Sequence, residues 1–484
     1  MMMTRSKTSL ASLALLCGLG WLVMACPASL DDFCADGACA PRATVTEGGG
    51  MDADAAADGP TTDPCIDAPT APNCLNDEKT ALFVRPTGSD SDLAGGTRSS
   101  PFKTINAALA KITSTKRRIY VCDGAYFEDL SLSATHSGVS IFGGIDCAWN
   151  PAVASKPVIG ATANPLKIDG AARVAIQDVA VVAKDAATGS SIAAFVVASD
   201  VSFKRVRLVA GTAAKGDVGV RTDYALPNDL NGVDGVMGGG QKLVACPGGT
   251  QTIGGKGGLS GVDGETGSPG PDNKGTVAQC LSSTGGSNGA PGASPAAAPG
   301  ATTPGELTAQ GWRPSAGENG MNAGPGQGGG GGAGLGTGTG GGGGAGGCGG
   351  VGGGGGKGAG ASLALVSFQS TIQLSDSVLQ AKNGGPGGAG ASGQAGTSVG
   401  GAGGNRTGGT TACNGGAGGA GGTGAAGGGG AGGISIGVLS KGSKPVMDDA
   451  TLKAIVFGDK GAPGSAAGEH SGVDGTAQAV LELQ

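Results

Sequence analysis

The chain has 484 residues, of which 105 are glycine, while phenylalanine, tryptophan and tyrosine supply only 9, 3 and 3. A chain of this length would ordinarily hold two or three domains, but it has too few large apolar side chains to fill that many cores. Its net charge of −6 becomes −8 without Arg5 and Lys7. This mild acidity argues against a nucleic-acid partner, which would require a concentrated basic surface.

The amino-terminal segment has the pattern of a processed leader. Arg5 and Lys7 precede an apolar run from residue 10 to residue 22, which is short for a membrane span. The run ends in Leu-Val-Met-Ala-Cys26, which resembles the bacterial lipobox. We therefore predict a signal peptide over 1–25 and a lipid anchor on Cys26, with cleavage after Ala25 and an unmodified cysteine as the alternative.

Residues 26–80 are rich in alanine, aspartate, proline and threonine and almost free of aromatic side chains, so we predict a disordered tether there. Together with the lipobox, this composition predicts an exported protein held to the membrane through its lipid. Because Pro27 follows the cysteine, the expected location is the outer membrane or the cell surface.

The stretch from Ala81 to Cys147 predicts one amphipathic helix followed by short strands. Ile105, Ala108, Leu109 and Ile112 share one helical face, so we expect a helix over 106–112, with Ser100 as N-cap and Pro101 at the first helical position. Short apolar runs over 118–122, 129–133 and 139–142 predict strands. This order suits a solenoid whose first coil is covered by the helix.

Several motifs in this stretch resemble those of a known family. Gly88-Ser-Asp90 and Ser99-Ser-Pro-Phe-Lys-Thr-Ile105 resemble the opening of pectin-lyase-like right-handed parallel β-helix domains in secreted bacterial proteins. Residues 121–127 and 141–149 resemble the turns that follow in that family. With its glycine-rich tail, the chain is similar to PGRS-type lipoproteins of myxobacteria. The resemblance implies a fold and an exported location, and almost nothing about activity.

A weak internal repeat follows. Units beginning at Ser191, Ser362 and Ser435 each lead through short β-branched runs into glycine-rich sequence. The predicted fold class is therefore all-β, a right-handed parallel β-helix with an amino-terminal capping helix and long glycine-rich loop insertions. The predicted divisions are the cap and first coils (81–215), an insertion (216–360), a coil (361–383), a second insertion (384–433) and the last coils (434–484).

The two glycine-rich tracts allow two interpretations. Glycine recurs at every third residue from 255 to 270, which is compatible with a packed bundle of extended, polyproline-II-like segments. On entropy grounds we expect flexible, solvated loops instead.

Ten cysteines remain after Cys17 and Cys26, an even number that predicts disulfides in an exported protein. Their order along the chain predicts five local pairs: Cys34 with Cys39, Cys65 with Cys74, Cys122 with Cys147, Cys246 with Cys280, and Cys348 with Cys413. With only two histidines and no CxxC motif, a zinc site is not expected, and we predict no cofactor.

Three cationic residues lie close together in the sequence near one predicted strand. Lys204, Arg205 and Arg207 lie on and around one predicted strand, with Asp178 and Asp200 on earlier coils. Polysaccharide lyases of the similar family use carboxylates and a basic residue, but these carboxylates do not recur with the repeats. We interpret the cations as a solvated outer face or a glycan contact rather than a catalytic site.

The function expected from these features is a surface-displayed structural or adhesive lipoprotein without catalysis, whose partner is an extracellular polysaccharide or an envelope component. The alternatives are a carbohydrate-binding module and a lyase-like enzyme acting on extracellular glycans.

Overall fold

The computed structural model describes residues 64–484, except for 92, 409–410 and 467–469. Its helices are α1 (Pro64–Asp67), α2 (Pro72–Leu75), α3 (Ile105–Ala110), α4 (Val277–Leu281) and α5 (Asp449–Lys453), with a 3-10 turn at Ala134–His136. In the part of the chain described, no helix is both long and apolar enough to cross a membrane.

The strands, in chain order, are β1 (Ala81–Val84), β2 (Arg118–Val121), β3 (Ala125–Tyr126), β4 (Leu130–Ser133), β5 (Ser140–Phe142), β6 (Val158–Ile159), β7 (Leu166–Asp169), β8 (Val174–Gln177), β9 (Ala180–Val182), β10 (Ser191–Val197), β11 (Asp200–Lys204), β12 (Arg207–Val209), β13 (Lys242–Ala245), β14 (Gln251–Gly254), β15 (Gly305–Thr308), β16 (Gly311–Pro314), β17 (Ser362–Phe368), β18 (Thr371–Ser375), β19 (Val378–Gln380), β20 (Ser435–Lys441), β21 (Val446–Met447), β22 (Ile455–Val456) and β23 (Ala477–Leu483).

Most of these strands form three parallel sheets. The first sheet has the order β1-β2-β5-β8-β11-β18-β21, the second β3-β6-β9-β12-β19-β22 and the third β4-β7-β10-β17-β20-β23. From β2 to β12 and from β17 to β23, successive strands enter the three sheets in rotation. Two antiparallel hairpins, β13–β14 and β15–β16, interrupt this order.

The three sheets enclose a narrow aliphatic core. Alternate residues point inward in strands such as β4, where Leu130 and Leu132 are buried while Ser131 and Ser133 are exposed. Leu130 is in register with Leu166, which pairs with Ala194 and, through it, with Leu365. Such rows of inward side chains form one continuous cluster along the sheets, so the hydrophobic effect stabilises each strand together with its neighbours.

Helix α3 packs its apolar side onto this core at the β1 end through Ile105, Ala108 and Leu109. The predicted start of the helix is wrong. The N-cap is Thr104, whose hydroxyl accepts from the Ala107 N–H (3.1 Å), not Ser100. The Glu128 carboxylate accepts hydrogen bonds from the N–H groups of Ile105 and Asn106 (2.8 and 2.9 Å). These two bonds fix the start of the helix.

The outer face of the first sheet carries an aromatic row. Phe83, Tyr120 and Phe142 are cross-strand neighbours, with ring centroids 5.4 and 5.5 Å apart. The Tyr120 hydroxyl donates to the Pro69 carbonyl (2.8 Å), and Leu75 packs on the same cluster. The segment with α1 and α2 therefore covers these rings and keeps them from water.

The predicted repeat is confirmed by the strand register. Ser191 pairs with Ser362, and Ser362 pairs with Ser435, all three fully buried. Each hydroxyl accepts an N–H and donates to a carbonyl at the point where the chain leaves for a glycine-rich tract. These contacts are Gly211 N and Lys184 O for Ser191, Lys382 N and Gly211 O for Ser362, and Gly458 N and Lys382 O for Ser435.

The glycine-rich tracts are hydrogen-bonded, extended segments rather than loops. The segment 341–360, here called the central segment, is buried over 341–350 and partly exposed beyond, and it bonds laterally to its neighbours in steps of three residues. Its donors to the segment 413–433 are the N–H groups of Gly341, Gly344, Gly347, Gly350, Gly353, Gly356 and Ala359. A three-residue repeat without bonds inside the segment is the geometry of polyproline II, whose N–H groups are free for lateral bonding.

Glycine is required because the backbones approach very closely. A Cβ built on Gly350 or Gly353 would lie 1.9 Å from the carbonyl oxygen of Gln394 or Ala391. A Cβ on Gly352 or Gly355 would lie 2.0 or 2.1 Å from a carbonyl of the segment 314–332 on another side. Any side chain at these positions would push two segments apart and break their hydrogen bonds.

The predicted fold class, a right-handed parallel β-helix with long glycine-rich loop insertions, is therefore wrong as stated. The described residues form three parallel sheets of seven, six and six strands with few helices, and the tracts are paired elements rather than loops. The entropy cost that favoured flexible loops is offset because almost every turn of an extended segment gains a backbone hydrogen bond.

Two of the predicted disulfide pairs are also wrong. The structure joins Cys65 to Cys74 and Cys122 to Cys147, as the chain order predicts. The other bonds are Cys246–Cys348 and Cys280–Cys413, in place of the predicted pairs of Cys246 with Cys280 and of Cys348 with Cys413. The tracts double back on themselves, so the cysteines that meet in space are not neighbours along the chain.

The fifth predicted pair joins Cys34 and Cys39. Both cysteines lie outside the described residues, which begin at residue 64. The bond between Cys34 and Cys39 therefore stays a prediction.

We expect Gly353→Ala to lower the free energy of unfolding by about 1–3 kcal/mol, because its Cβ would overlap the Ala391 carbonyl. The matched control is Gly240→Ala, whose Cβ would have Val233 side-chain atoms at 3.7–3.8 Å as its nearest neighbours, an ordinary contact. Thermal denaturation followed by circular dichroism measures both. Equal melting temperatures for the two variants would contradict the close packing of the central segment.

Candidate functional site

The three cationic residues predicted to contact a glycan lie on different surfaces of the structure. Lys204 is the last residue of β11 in the first sheet, partly exposed between Gln177 and Ser375 of the adjacent strands. Arg207 begins β12 in the second sheet and is exposed. Arg205 lies at the corner between them. The three therefore do not form one basic patch, and their contact with a glycan stays a prediction.

Arg205 is held in an ion pair with Asp178. The Asp178 side chain is fully buried, and its two carboxylate oxygens accept from Nε and Nη2 of Arg205 at 2.8 and 2.6 Å. Lys156 Nζ lies 3.3 Å from the same carboxylate and donates to the Arg205 carbonyl (2.7 Å). Because the carboxylate is shared by two cations and closed from water, it is not placed to hold a calcium ion or a substrate.

The corner that carries this pair recurs directly after the adjacent strands β8, β11 and β18 of the first sheet. Asp178, Arg205 and Asp376 all have left-handed backbones, with φ of 53, 51 and 49 degrees. The hydrogen bond and charge of Asp178, with a further contribution from Asp376, raise the pKa of the Arg205 guanidinium above its usual value. The network therefore holds a strained turn in place, which is a structural role.

A second candidate site lies on the outer face of the third sheet. Ile192, Phe195 and Leu363 point outward there and are covered by the hairpin β15–β16, whose Leu307 is buried against them. Beside the hairpin is a cleft of about 370 Å³. Its lining residues are Asn164, Leu166, Lys167, Thr188, Ser190, Ile192, Phe195, Gln310, Gly311 and Trp312.

The chemistry of this cleft suits binding. Phe195 and Trp312 supply aromatic surface, while Asn164, Thr188 and Gln310 supply amide and hydroxyl groups, a combination found in small-molecule sites. Among the described residues, nothing accepts a hydrogen bond from the Trp312 indole nitrogen, which is closed from solvent. Lys167 carries the only cationic group of the lining and is paired with Asp169 at 2.8 Å.

The cleft does not offer a catalytic set. No aspartate, glutamate or histidine side chain is among its lining residues, so it lacks the acid–base pair that glycoside cleavage uses. Within the described ranges, no group of three or more histidine, cysteine, aspartate or glutamate side chains is placed to hold a metal ion.

Sequence reasoning missed this cleft because three of its ten lining residues, Gln310, Gly311 and Trp312, come from the tract 216–360. The signal was the run Gly305-Glu-Leu-Thr-Ala-Gln-Gly-Trp-Arg-Pro314, which alternates apolar and polar residues around a turn inside glycine-rich sequence. The predicted lipidation site Cys26 lies outside the described residues, as Cys34 and Cys39 do.

Comparisons with known proteins add little. No family model matches this chain, and a search of curated proteins gives no match. Among solved structures, one titled rhamnogalacturonan lyase matches with a TM-score of 0.17 and 16% sequence identity, over 27% of this chain and 36% of that chain. The match thus spans about a third of that protein.

We expect Asp178→Asn to destabilise the protein by about 2 kcal/mol, because it leaves two cations around a buried neutral amide. This loss of stability is smaller than the loss expected when a fully buried ion pair is broken, because the Arg205 and Lys156 side chains are 30% and 28% exposed. The control is Asp169→Asn in the half-exposed pair with Lys167, expected to change stability by less than about 0.5 kcal/mol. Urea denaturation compares them, and an equal effect would exclude a special role for the buried corner.

Proposed function

We propose that this chain is an exported, lipid-anchored structural protein that displays a rigid body outside the membrane and acts by adhesion rather than catalysis. The observation that carries the proposal is the packing of the glycine-rich tracts. They are hydrogen-bonded segments tied by two long-range disulfides, Cys246–Cys348 and Cys280–Cys413. A body of this kind resists extension and cleavage because few of its backbone groups are free.

The dimensions and chemistry support this role. A polyproline II segment rises about 3.1 Å per residue, so the central segment of 20 residues would span roughly 60 Å. Four disulfides among the described residues support an oxidising compartment, since such bonds persist mainly in exported proteins. The lipobox-like run before Cys26 supports the anchor, and the acidic tether would separate it from the body.

The anchor can be tested in cells that express the full chain with a carboxy-terminal tag and are fed an alkyne-labelled fatty acid. We expect labelling of the native chain and of Cys17→Ser, and its loss in Cys26→Ser, because Cys17 follows a residue too large for the cleavage pocket. Trypsin added to intact cells reports display at the surface. Labelling that persists in Cys26→Ser, or a tag protected until the cells are lysed, would contradict the proposal.

A second candidate function is glycan binding without chemistry, favoured by the cleft at Trp312. Its indole and the neighbouring amide and hydroxyl groups can contact both the apolar faces and the hydroxyl groups of a sugar ring. This function is compatible with adhesion, since it would supply the contact that a displayed body makes with an extracellular polysaccharide.

We expect the protein to be retarded in native gels that contain a polysaccharide it binds, with a panel of acidic and neutral glycans as probes. Trp312→Ala should abolish the retardation by removing most of the aromatic surface of the cleft. Phe127→Ala, which removes an aromatic ring that is 82% exposed elsewhere, should leave it unchanged. Retardation that survives Trp312→Ala, or none with any glycan of the panel, would rule out this candidate.

A further inference from the structure

The central segment is enclosed by other extended segments over its first half. It contacts the segments 386–405, 413–433, 314–332 and 214–235 along its length. Over residues 340–346 a fifth neighbour, the segment 251–258, fills the remaining side. Gly340 and Gly343 donate their N–H groups to the carbonyls of Gly258 and Gly255 at 2.9 and 2.7 Å.

The segment 251–258 ends part-way along the central segment, and a groove lies beyond its end. The chain before residue 251 turns away through Gly248 and Gly249, both with φ of 83 degrees. Beyond this turn, the same side of the central segment is open and forms a groove of about 850 Å³. Its floor is 351–355 with Lys357, and its walls are 217–222 with Tyr224 on one side and 319–320 on the other. The groove is therefore the continuation of the position that the segment 251–258 occupies.

The floor presents hydrogen-bond donors at the same three-residue spacing. Beyond Gly343, the Gly346 N–H donates to the Thr252 hydroxyl (2.8 Å). The N–H groups of Gly352 and Gly355 donate to the exposed side chains of Asn322 and Asn319 at 2.9 and 2.8 Å. Where the position is filled, the carbonyls of Gly258 and Gly255 and the Thr252 hydroxyl accept these bonds, and in the groove two asparagine side chains accept them.

The filled part of this position shows what the groove would accept. Gly254 and Gly257 face the central segment, where a Cβ would lie 1.9 and 2.0 Å from the carbonyls of Gly343 and Gly340. An occupant that approaches the central segment as closely as Gly254 and Gly257 do needs glycine at every third residue, whereas Gln251, the next residue of this series, carries a side chain. Its other residues would meet a wall that offers apolar surface at Val218 and Val220, which are 64% and 81% exposed, and at Tyr224, beside the charged Asp217 and Arg221.

From this geometry we propose that the groove binds a glycine- and proline-rich segment of another polypeptide in the polyproline II conformation. Proline suits the positions facing the walls, because it is restricted to this conformation and docks on aromatic and apolar surface. The carbonyls of the bound segment take over the donors now satisfied by Asn319 and Asn322. The inference goes beyond the anchored structural role and does not depend on Cys26.

The probe is a fluorescent nonapeptide of three Gly-Pro-Pro triplets, and its control has the same composition as six prolines followed by three glycines. In fluorescence polarisation with the full chain in detergent, we expect the triplet peptide to bind at least about tenfold more tightly, because only it places glycine at every third residue. Equal binding of the two peptides, or no binding of either, would overturn the proposal.

The groove is tested separately with Val220→Glu, which places a carboxylate in the wall without altering the Val220 carbonyl that accepts from Gly354 N. The control is Val236→Glu, which changes a valine that is 71% exposed and is not in the groove lining. Val220→Glu should weaken peptide binding about tenfold or more, and Val236→Glu should not. Unchanged binding by Val220→Glu, with both variants melting like the native chain, would place the peptide elsewhere and refute the assignment.

Discussion

The lateral hydrogen bond between glycine backbones is the interaction on which this structure depends. In a sheet, strands lie nearly 5 Å apart and side chains project from both faces. In the tracts described here, each extended segment has neighbours on several sides, and a carbonyl oxygen occupies the space where a Cβ would be. The glycine content thus allows a large part of the chain to be ordered with almost no hydrophobic side chains.

The three sheets and the glycine segments are stabilised by different interactions. The three sheets bury rows of leucine, isoleucine and valine, and the hydrophobic effect holds them together. The glycine segments lack such rows and are held by backbone bonds and cross-links. Cys246–Cys348 and Cys280–Cys413 close stretches of 102 and 133 residues. In the chain-entropy treatment a loop of this size restricts the unfolded chain by about 4–5 kcal/mol.

The sequence predicted those features that depend on local pattern. The alternation within Leu130–Ser133 and the recurring units at Ser191, Ser362 and Ser435 were sufficient for strands and for their repeat. The start of α3 was missed because Thr104 and Glu128 share the capping, and Glu128 is distant in sequence. Propensity alone does not reveal such a partner.

The packing of the tracts and the Trp312 cleft could not be predicted from local sequence pattern. The central segment bonds to residues more than 100 positions earlier, and glycine carries no apolar periodicity that could identify a partner. The triplet spacing from 255 to 270 was the available signal, and it was compatible with either a packed or a solvated tract. Pairing Cys246 with Cys280 failed for the same reason, since proximity in sequence does not imply proximity in a chain that doubles back.

The buried hydroxyls of Ser191, Ser362 and Ser435 hold the points where the chain leaves the sheets in register, so each tract enters the glycine region at a fixed place. Polyproline II turns by about 120 degrees per residue, and three residues restore the original direction. Insertion or deletion of one or two residues in a tract would rotate every later glycine away from its neighbouring carbonyl. Insertion or deletion of three residues would preserve the contacts. The length of these tracts is therefore free to change only in multiples of three amino-acid residues.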